Sequence, residues 1–271
     1  MARVAIVTGG NKGIGYAIVK GLCKQFDGIV YLTARDVERG TNAVKELEKQ
    51  GLKAKFHQLD VTDEASIKAF RDYVEKTHGR IDVLVNNAAI AFKTNATEPF
   101  SLQAKETVRV NYFALRKVFD TLSPLLKPHA RVVNLSSSAG RLSLIPDESL
   151  RKRFLDPKLT EEELDKLMNE FVDAAQTDSH AEKGWPNSAY VVSKVGVSAL
   201  TRIQQAKFDN DIAINSVHPG YVDTDMTSHK GPLTPEQGAE APLFCALLPE
   251  NTDVKGKYIW FDKTLKDWPT E

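Results

Sequence analysis

Short β-branched runs alternate with longer amphipathic stretches almost from the first residue of this chain. Candidate strands fall at 4–8, 29–33, 54–59, 81–86, 131–136, 212–217 and 257–261. Candidate helices fall between them, at 14–26, 37–50, 63–78, 100–127, 188–208 and 235–248. The strand segments are short and nearly continuous in apolar character, the pattern of strands buried on both faces. An antiparallel sheet with one wet face would alternate apolar and polar residues instead. The repeated strand-then-helix order predicts an α/β architecture, a doubly wound parallel sheet with helices on both faces. A length of 271 residues suits one such domain, over 1–271.

One segment interrupts the rhythm. After Gly140 the next strand is delayed by about seventy residues. Within the gap, Thr160 and Glu163 form a capping box ahead of Leu164, Leu167, Met168 and Phe171, which recur at helical spacing. This predicts one inserted helix, carried by the same domain in an insertion near 141–185.

Bulk charge excludes some partners. The chain has 36 basic and 36 acidic residues, so nothing in its net charge calls for nucleic acid or an anionic membrane. The start runs directly into a strand, no stretch is apolar enough to span a bilayer, and only Cys23 and Cys245 are present. A cytoplasmic location is the expectation. The histidines are scattered without metal-ligand spacing, so no metal is expected. Cys23 follows the apolar pattern of the first helix and reads as core.

The first strand candidate runs into Thr8-Gly9-Gly10-Asn11-Lys12-Gly13-Ile14-Gly15, and an apolar helix follows. Glycine permits the tight turn, lets backbone N–H groups approach a pyrophosphate, and lets the helix sit close to the strand. The helix N-terminus then faces the phosphates with partial positive charge. Gly9, Asn11, Lys12, Gly13, Ile14 and Gly15 are therefore candidate dinucleotide contacts. The second strand should deliver the residue that tests the adenine ribose, and there the sequence reads Thr33-Ala34-Arg35-Asp36. Arg35 can grip a 2′-phosphate through its planar fork, with Lys12 adding a second positive charge. An NAD enzyme would want a carboxylate at the strand terminus, a position taken by Ala34. NADPH or NADP+ is the expected cofactor.

Tyr190 and Lys194 stand one helical turn apart, so the phenol and the ammonium share a face. A free phenol titrates near 10, too high for ready proton exchange at neutral pH. A positive charge about 6 Å away, at an effective dielectric near 20, favours phenolate by roughly 2.8 kcal/mol, enough to bring it to about 8. The strand before the insertion ends Val133-Asn134-Leu135-Ser136-Ser137-Ser138. A hydroxyl there can donate to a carbonyl oxygen as charge builds on it. Ser137 is the first choice, with Ser136 and Ser138 as alternatives.

These features, with Asp60 after the third strand, Asn86-Asn87-Ala88-Ala89 after the fourth, Asn111 and Pro219-Gly220, resemble the short-chain dehydrogenase/reductase family over essentially the whole chain. The resemblance implies a single Rossmann-type domain with Tyr190 as general acid. It implies that Lys194 holds the nicotinamide ribose and lowers the phenol's pKa. Ser137 would anchor the substrate carbonyl, and Asn111 would support a proton-relay water. Asp60, Val61 and Asn87 would border the adenosine half, with Pro219, Gly220, Val222 and Thr224 at the nicotinamide end. Ala89 departs from the family's usual glycine.

A second departure is larger. Ser137 and Tyr190 lie 53 positions apart, against about a dozen in most of the family. This resembles the NADPH-dependent carbonyl reductases that carry a helical insertion before the catalytic tyrosine and act as monomers. The resemblance implies a small-molecule carbonyl substrate, a ketone, aldehyde or quinone. Ala91, Phe92, Lys93, Ser138, Tyr221 and Met226 are candidate pocket walls. Two alternatives stay open: an NADP-binding sensor of the same fold, and an alcohol or steroid dehydrogenase running oxidatively. The closing segment from Asp262, including Trp268, either folds over the site or simply packs.

Overall fold

A computed structural model describes residues 2–208 and 211–270. From the N-terminus, β1 (Val4–Thr8), α1 (Gly13–Gln25), β2 (Ile29–Ala34), α2 (Val37–Lys49), β3 (Lys55–Gln58), α3 (Glu64–His78) and β4 (Ile81–Asn86) follow the expected rhythm. Then come α4 (Phe100–Val108), α5 (Leu115–Leu122), β5 (Leu126–Leu135), α6 (Glu148–Leu155), α7 (Glu161–Gln176) and α8 (Ala189–Lys207). The chain closes with β6 (Ala213–Val217), α9 (Pro235–Ala246), β7 (Tyr258–Ile259) and β8 (Leu265–Lys266). The sheet order is β3-β2-β1-β4-β5-β6-β7-β8, parallel throughout except for the antiparallel β7–β8 pair. Strand order reverses between β1 and β4, so their connections leave on opposite faces and open a crevice at the carboxyl ends.

β1, β4 and β6 are buried along their whole length, and β5 from Ala130 onward. On one face α1, α2 and α9 pack through Ile18, Leu22, Leu47 and Cys245. On the other, α3 and α5 contribute Ile67, Phe70, Val118 and Leu122, and α4, α7 and α8 form a further cluster.

Three features differ from the sequence expectation. The candidate helix at 100–127 is broken: α4 passes into a wide π-helical turn, Arg109–Ala114, then α5, then a tight turn at Ser123-Pro124-Leu125. Pro124 cannot continue an α-helix, and β5 therefore starts at Leu126, earlier than the expected 131. Its register against β4 shifts between Ile81 and Val83, with His129 at a φ of 64° inside the irregular stretch. β-Propensity patterns do not register such an interruption.

The insertion holds two helices rather than one. Asp147 caps α6 by accepting from the Leu150 N–H at 2.8 Å, and Leu150 and Phe154 are its buried positions. In α7 the capping box forms as read: the Glu163 N–H donates to Thr160 Oγ1 at 3.2 Å, and the Thr160 N–H to Glu163 Oε2 at 3.0 Å. Leu164, Leu167, Met168 and Phe171 are buried with Phe154, Trp185, Tyr112 and Val195 in one cluster. Arg116 pairs with Glu162 and Asp165, and Lys207 meets the buried Glu161 at 2.7 Å. The insertion is thus bound to α4, α5 and α8 by apolar and ionic contacts.

The closing segment packs. It adds β8 through a turn in which Thr264 donates to Asp262 twice, at 3.0 and 2.7 Å, and it buries Trp268. Among the described residues no helix is long and apolar enough to cross a membrane, and no metal-binding group of His, Cys, Asp and Glu is found.

Candidate active site

The glycine loop closes against the end of β4. Thr8 Oγ1 accepts from the N–H groups of Asn87 and Ala88 at 3.0 and 3.1 Å, and Asn87 Nδ2 donates to the carbonyls of Thr8 and Gly9 at 2.9 and 3.1 Å. Gly9 sits at a φ of +64°, and a Cβ on Gly15 would meet Asn87 Nδ2 and the Gly9 carbonyl at 2.4 Å each. Gly13, at a φ of +55°, faces Thr224, so the loop after β6 meets the glycine loop across the crevice. Asn87 therefore acts first as a strut for the loop.

The residues present fit a dinucleotide. Helix α1 begins after Lys12 with no side-chain cap and no acidic residue in its first turn. The N–H groups of Gly13, Ile14 and Gly15 thus lack any capping oxygen, the arrangement that suits a phosphate. The Lys12 ammonium is engaged elsewhere, at 2.6 Å from Asp225 Oδ2. Arg35 is exposed just past β2. Asp36 is committed to capping α2, accepting from the Arg39 N–H at 2.9 Å and pairing with its guanidinium at 3.5 Å. The Asp36 carboxylate is thus turned to α2, and Arg35 is the exposed charge at the ribose position. Asp60 accepts from the Thr62 N–H and hydroxyl at 2.9 and 2.7 Å. Burial raises its pKa, but these bonds and the guanidinium charges of Arg35 and Arg109 hold it below the ordinary carboxylate range. Val61 is partly buried beside it, packed on the α3 side of the core.

Tyr190 lies in the first turn of α8, whose N-cap Ser188 accepts from the Val191 N–H at 3.3 Å. The Ser137 hydroxyl acts on its phenol, pulling the phenol's pKa down against burial. Lys194, one turn on, is only 3% exposed. Its Nζ donates to the Leu135 carbonyl at 2.6 Å and stands 5.7 Å from the centre of the Tyr190 ring. Asn111, in the π-helical turn, accepts from the Ile90 N–H at 2.8 Å and donates to the Ile90 carbonyl at 2.9 Å and to Ser193 Oγ at 3.0 Å. Ser193 in turn donates to the Tyr190 carbonyl at 2.8 Å. The four expected catalytic residues therefore form one connected group.

The serine alternatives separate by geometry. Ser136 is buried, its hydroxyl 2.8 Å from Ser198 Oγ, so it binds β5 to α8. Ser138 is partly buried, with its carbonyl accepting from Arg141 at 3.1 Å. Of the three, Ser137 is the one that acts on the Tyr190 phenol.

The electrostatics reverse the sequence expectation. Burial raises the Tyr190 phenol above its ordinary value, with the Ser137 hydrogen bond opposing. Burial also depresses the Lys194 ammonium to about 7. A fully charged lysine would lower the phenol, but desolvation of both groups outweighs that attraction here. His218, next to Pro219 and also buried, is brought down to about 4 by burial and by the nearby Arg141 charge.

The remaining candidates are less closely joined. Pro219 and Val222 are buried, Gly220 and Thr224 partly so. Ala91 and Phe92 are partly buried just past Ile90, whereas Tyr221 and Met226 are exposed. Lys93 departs from a pocket-wall role: it is exposed and reaches over to the Asp225 carbonyl and, at 3.0 Å, Ser228 Oγ. Asp225 thereby joins Lys12 and Lys93 across the cleft mouth, a role no local pattern reveals. Cys23 is partly buried, pushed up to about 11 by burial, with its Sγ 3.3 Å from the Lys53 carbonyl.

Known proteins agree with this architecture. The profile of the short chain dehydrogenase family matches residues 3–146. Carbonyl reductase (NADPH) 1 of Mus musculus is 47% identical, covering 98% of this chain and 98% of its own length. Carbonyl reductase (NADPH) 3 of Rattus norvegicus is 46% identical, covering 98% and 99%. Salutaridine reductase of Papaver somniferum superposes with a TM-score of 0.88 at 34% identity, covering 94% of this chain and 99% of that one. Profile, full-length identity and the Ser137–Tyr190–Lys194 group together establish that the chain belongs to the short-chain dehydrogenase family.

Proposed function

We propose that this chain is an NADPH-dependent carbonyl reductase acting on a ketone, aldehyde or quinone of small molecular size. The observation that carries the reading is the buried Lys194 ammonium 5.7 Å from the Tyr190 ring, one turn away, beside Ser137 at the carboxyl ends of the strands. Full-length similarity to carbonyl reductases whose names specify NADPH supports it.

The uncapped N-terminus of α1, with Gly9, Asn11, Gly13, Ile14 and Gly15, would hold the pyrophosphate. Arg35 would take the 2′-phosphate, Asp60 and Val61 would flank the adenine, and Pro219, Gly220, Val222 and Thr224 would border the nicotinamide. Bound there, NADPH supplies the hydride. Ser137 donates a hydrogen bond to the substrate oxygen, and Tyr190 transfers its phenol proton to that oxygen as negative charge gathers. A donor of this kind contributes about 100- to 1000-fold in rate. Lys194, able to exchange its proton near neutrality, would return a proton towards the phenol, with Asn111 supporting a relay water between them. A phenol raised by burial remains protonated at neutral pH, as a reductase acid must.

The insertion supports a monomer, since its apolar stripe is buried within the chain's own core. Sedimentation should give the mass of one chain; a dimer mass would contradict this. The free thiols Cys23 and Cys245 support a cytoplasmic setting, which fractionation of the source cells would test.

A panel of quinones, aromatic and aliphatic ketones and aldehydes, followed by NADPH absorbance, tests the activity. Turnover with NADPH and much slower turnover with NADH is the expected result. Tight NADPH binding with silence across the panel would favour a sensor instead.

A further inference from the structure

Ser137 stands where β5 ends, on extended backbone, and its Oγ accepts from the Ala139 N–H at 3.2 Å. The turn that follows is held from both sides. Towards α8, a Cβ on Gly140 would meet Ser136 Oγ at 2.3 Å and the Lys194 carbonyl at 2.9 Å, so the turn and the helix are in direct contact. On the other side stands the C-terminal segment. Tyr258 Oη, on β7, donates to the Ser137 carbonyl at 2.5 Å, and the same carbonyl accepts from the Gly140 N–H at 2.8 Å. Trp268 Nε1 donates to the Gly140 carbonyl at 2.6 Å. Both rings are buried, at 2% and 3% exposure, and the Arg202 guanidinium lies 5.6 Å over the indole.

We propose that Tyr258 and Trp268 are positioning residues, clamping the two carbonyls of the 137–140 turn so that the Ser137 hydroxyl faces the substrate oxygen. The 137–140 turn carries no apolar side chain larger than that of Ala139 to lock its orientation. Two buried donors at fixed points supply that constraint, and water does not replace them there. The closing hairpin thereby has a task beyond filling the core: β8 turns the chain back so that Trp268 reaches Gly140. The inference rests on the reading that Ser137 touches the carbonyl.

Tyr258→Phe and Trp268→Phe keep an aromatic ring and delete the donor, so they separate clamping from packing. On the fastest panel substrate, Ser137→Ala should lower kcat by about 100-fold or more. Each Phe variant should lower kcat about tenfold, leave the NADPH dissociation constant within about twofold, and add nothing further in the Ser137→Ala background. Amide exchange at Ala139 and Gly140 should accelerate about tenfold in both, independently of turnover. If one variant fails to fold, as absent NADPH binding would reveal, the other decides. Unchanged kcat and exchange in the Phe variants, or losses that multiply with that of Ser137→Ala, would overturn the clamp while leaving the function standing. An unaffected Ser137→Ala enzyme would bring down the serine's role, and the clamp with it.

Discussion

Replacing Lys194 by methionine should stabilise the protein without its cofactor while abolishing turnover. The side chain is 3% exposed, and burial brings its ammonium from 10.5 to about 7. Keeping that ammonium charged in the fold rather than in the unfolded chain costs about 5 kcal/mol. Methionine matches its length without charge, but forfeits the hydrogen bond to the Leu135 carbonyl, worth about 1 kcal/mol. The sign follows from proton counting. Between about pH 7 and 10.5 the unfolded chain holds a proton that the folded lysine has released, so this group's contribution to stability rises with pH through that window. The methionine variant lacks this slope. Lys194→Met should therefore exceed the wild type by about 4 kcal/mol at pH 6 and about 2 kcal/mol at pH 8, with no difference near pH 10. Urea unfolding at the three pH values, followed by tryptophan fluorescence, measures a difference from which the other titrating groups cancel. A difference independent of pH, or a variant less stable at pH 6, would refute the argument. The expected result identifies Lys194 as a group kept for function at a cost in stability.

Gly15→Ala should raise the NADPH dissociation constant about 100-fold and destabilise the fold by about 1–3 kcal/mol, because the new Cβ meets the Gly9 carbonyl, which cannot swing aside. Calorimetric titration checks this, and unaltered affinity would contradict the loop's role. Arg35→Ala should cut the preference for NADPH over NADH by about 10- to 100-fold, since Asp36 is tied to capping α2 and charge-assisted bonds to a phosphate are the strong ones. The ratio of kcat/KM for the two cofactors measures it; an unchanged ratio would move the discrimination to another cation.

What the sequence made legible was whatever rests on local periodicity and capping. The apolar runs of β1 and β4, the Thr160–Glu163 box, and the one-turn spacing of Tyr190 and Lys194 all depend on neighbours in the chain, and all appear in the structure. Asp147 ahead of Leu150 and Phe154 was an equally local signal for α6, hidden by the polar residues around it. What escaped depends on distant partners. Sequence favours Ser137 but leaves Ser136 open, and the approach of Ser198 shows that Ser136 is structural. Lys12 offers a free charge until Asp225, far along the chain, takes it. The raised phenol and depressed ammonium come from burial, which spacing alone does not report. The π-helical turn that carries Asn111 interrupts a pattern that reads as continuous helix.

The claim beneath all of this is that the Tyr190 phenol gives its proton to a carbonyl oxygen within the cofactor cleft. Steady-state turnover of Tyr190→Phe, alongside its NADPH affinity, tests that directly. In that variant kcat should fall about 1000-fold or more while the NADPH dissociation constant stays within about threefold. A variant that keeps more than about a tenth of wild-type kcat would contradict it.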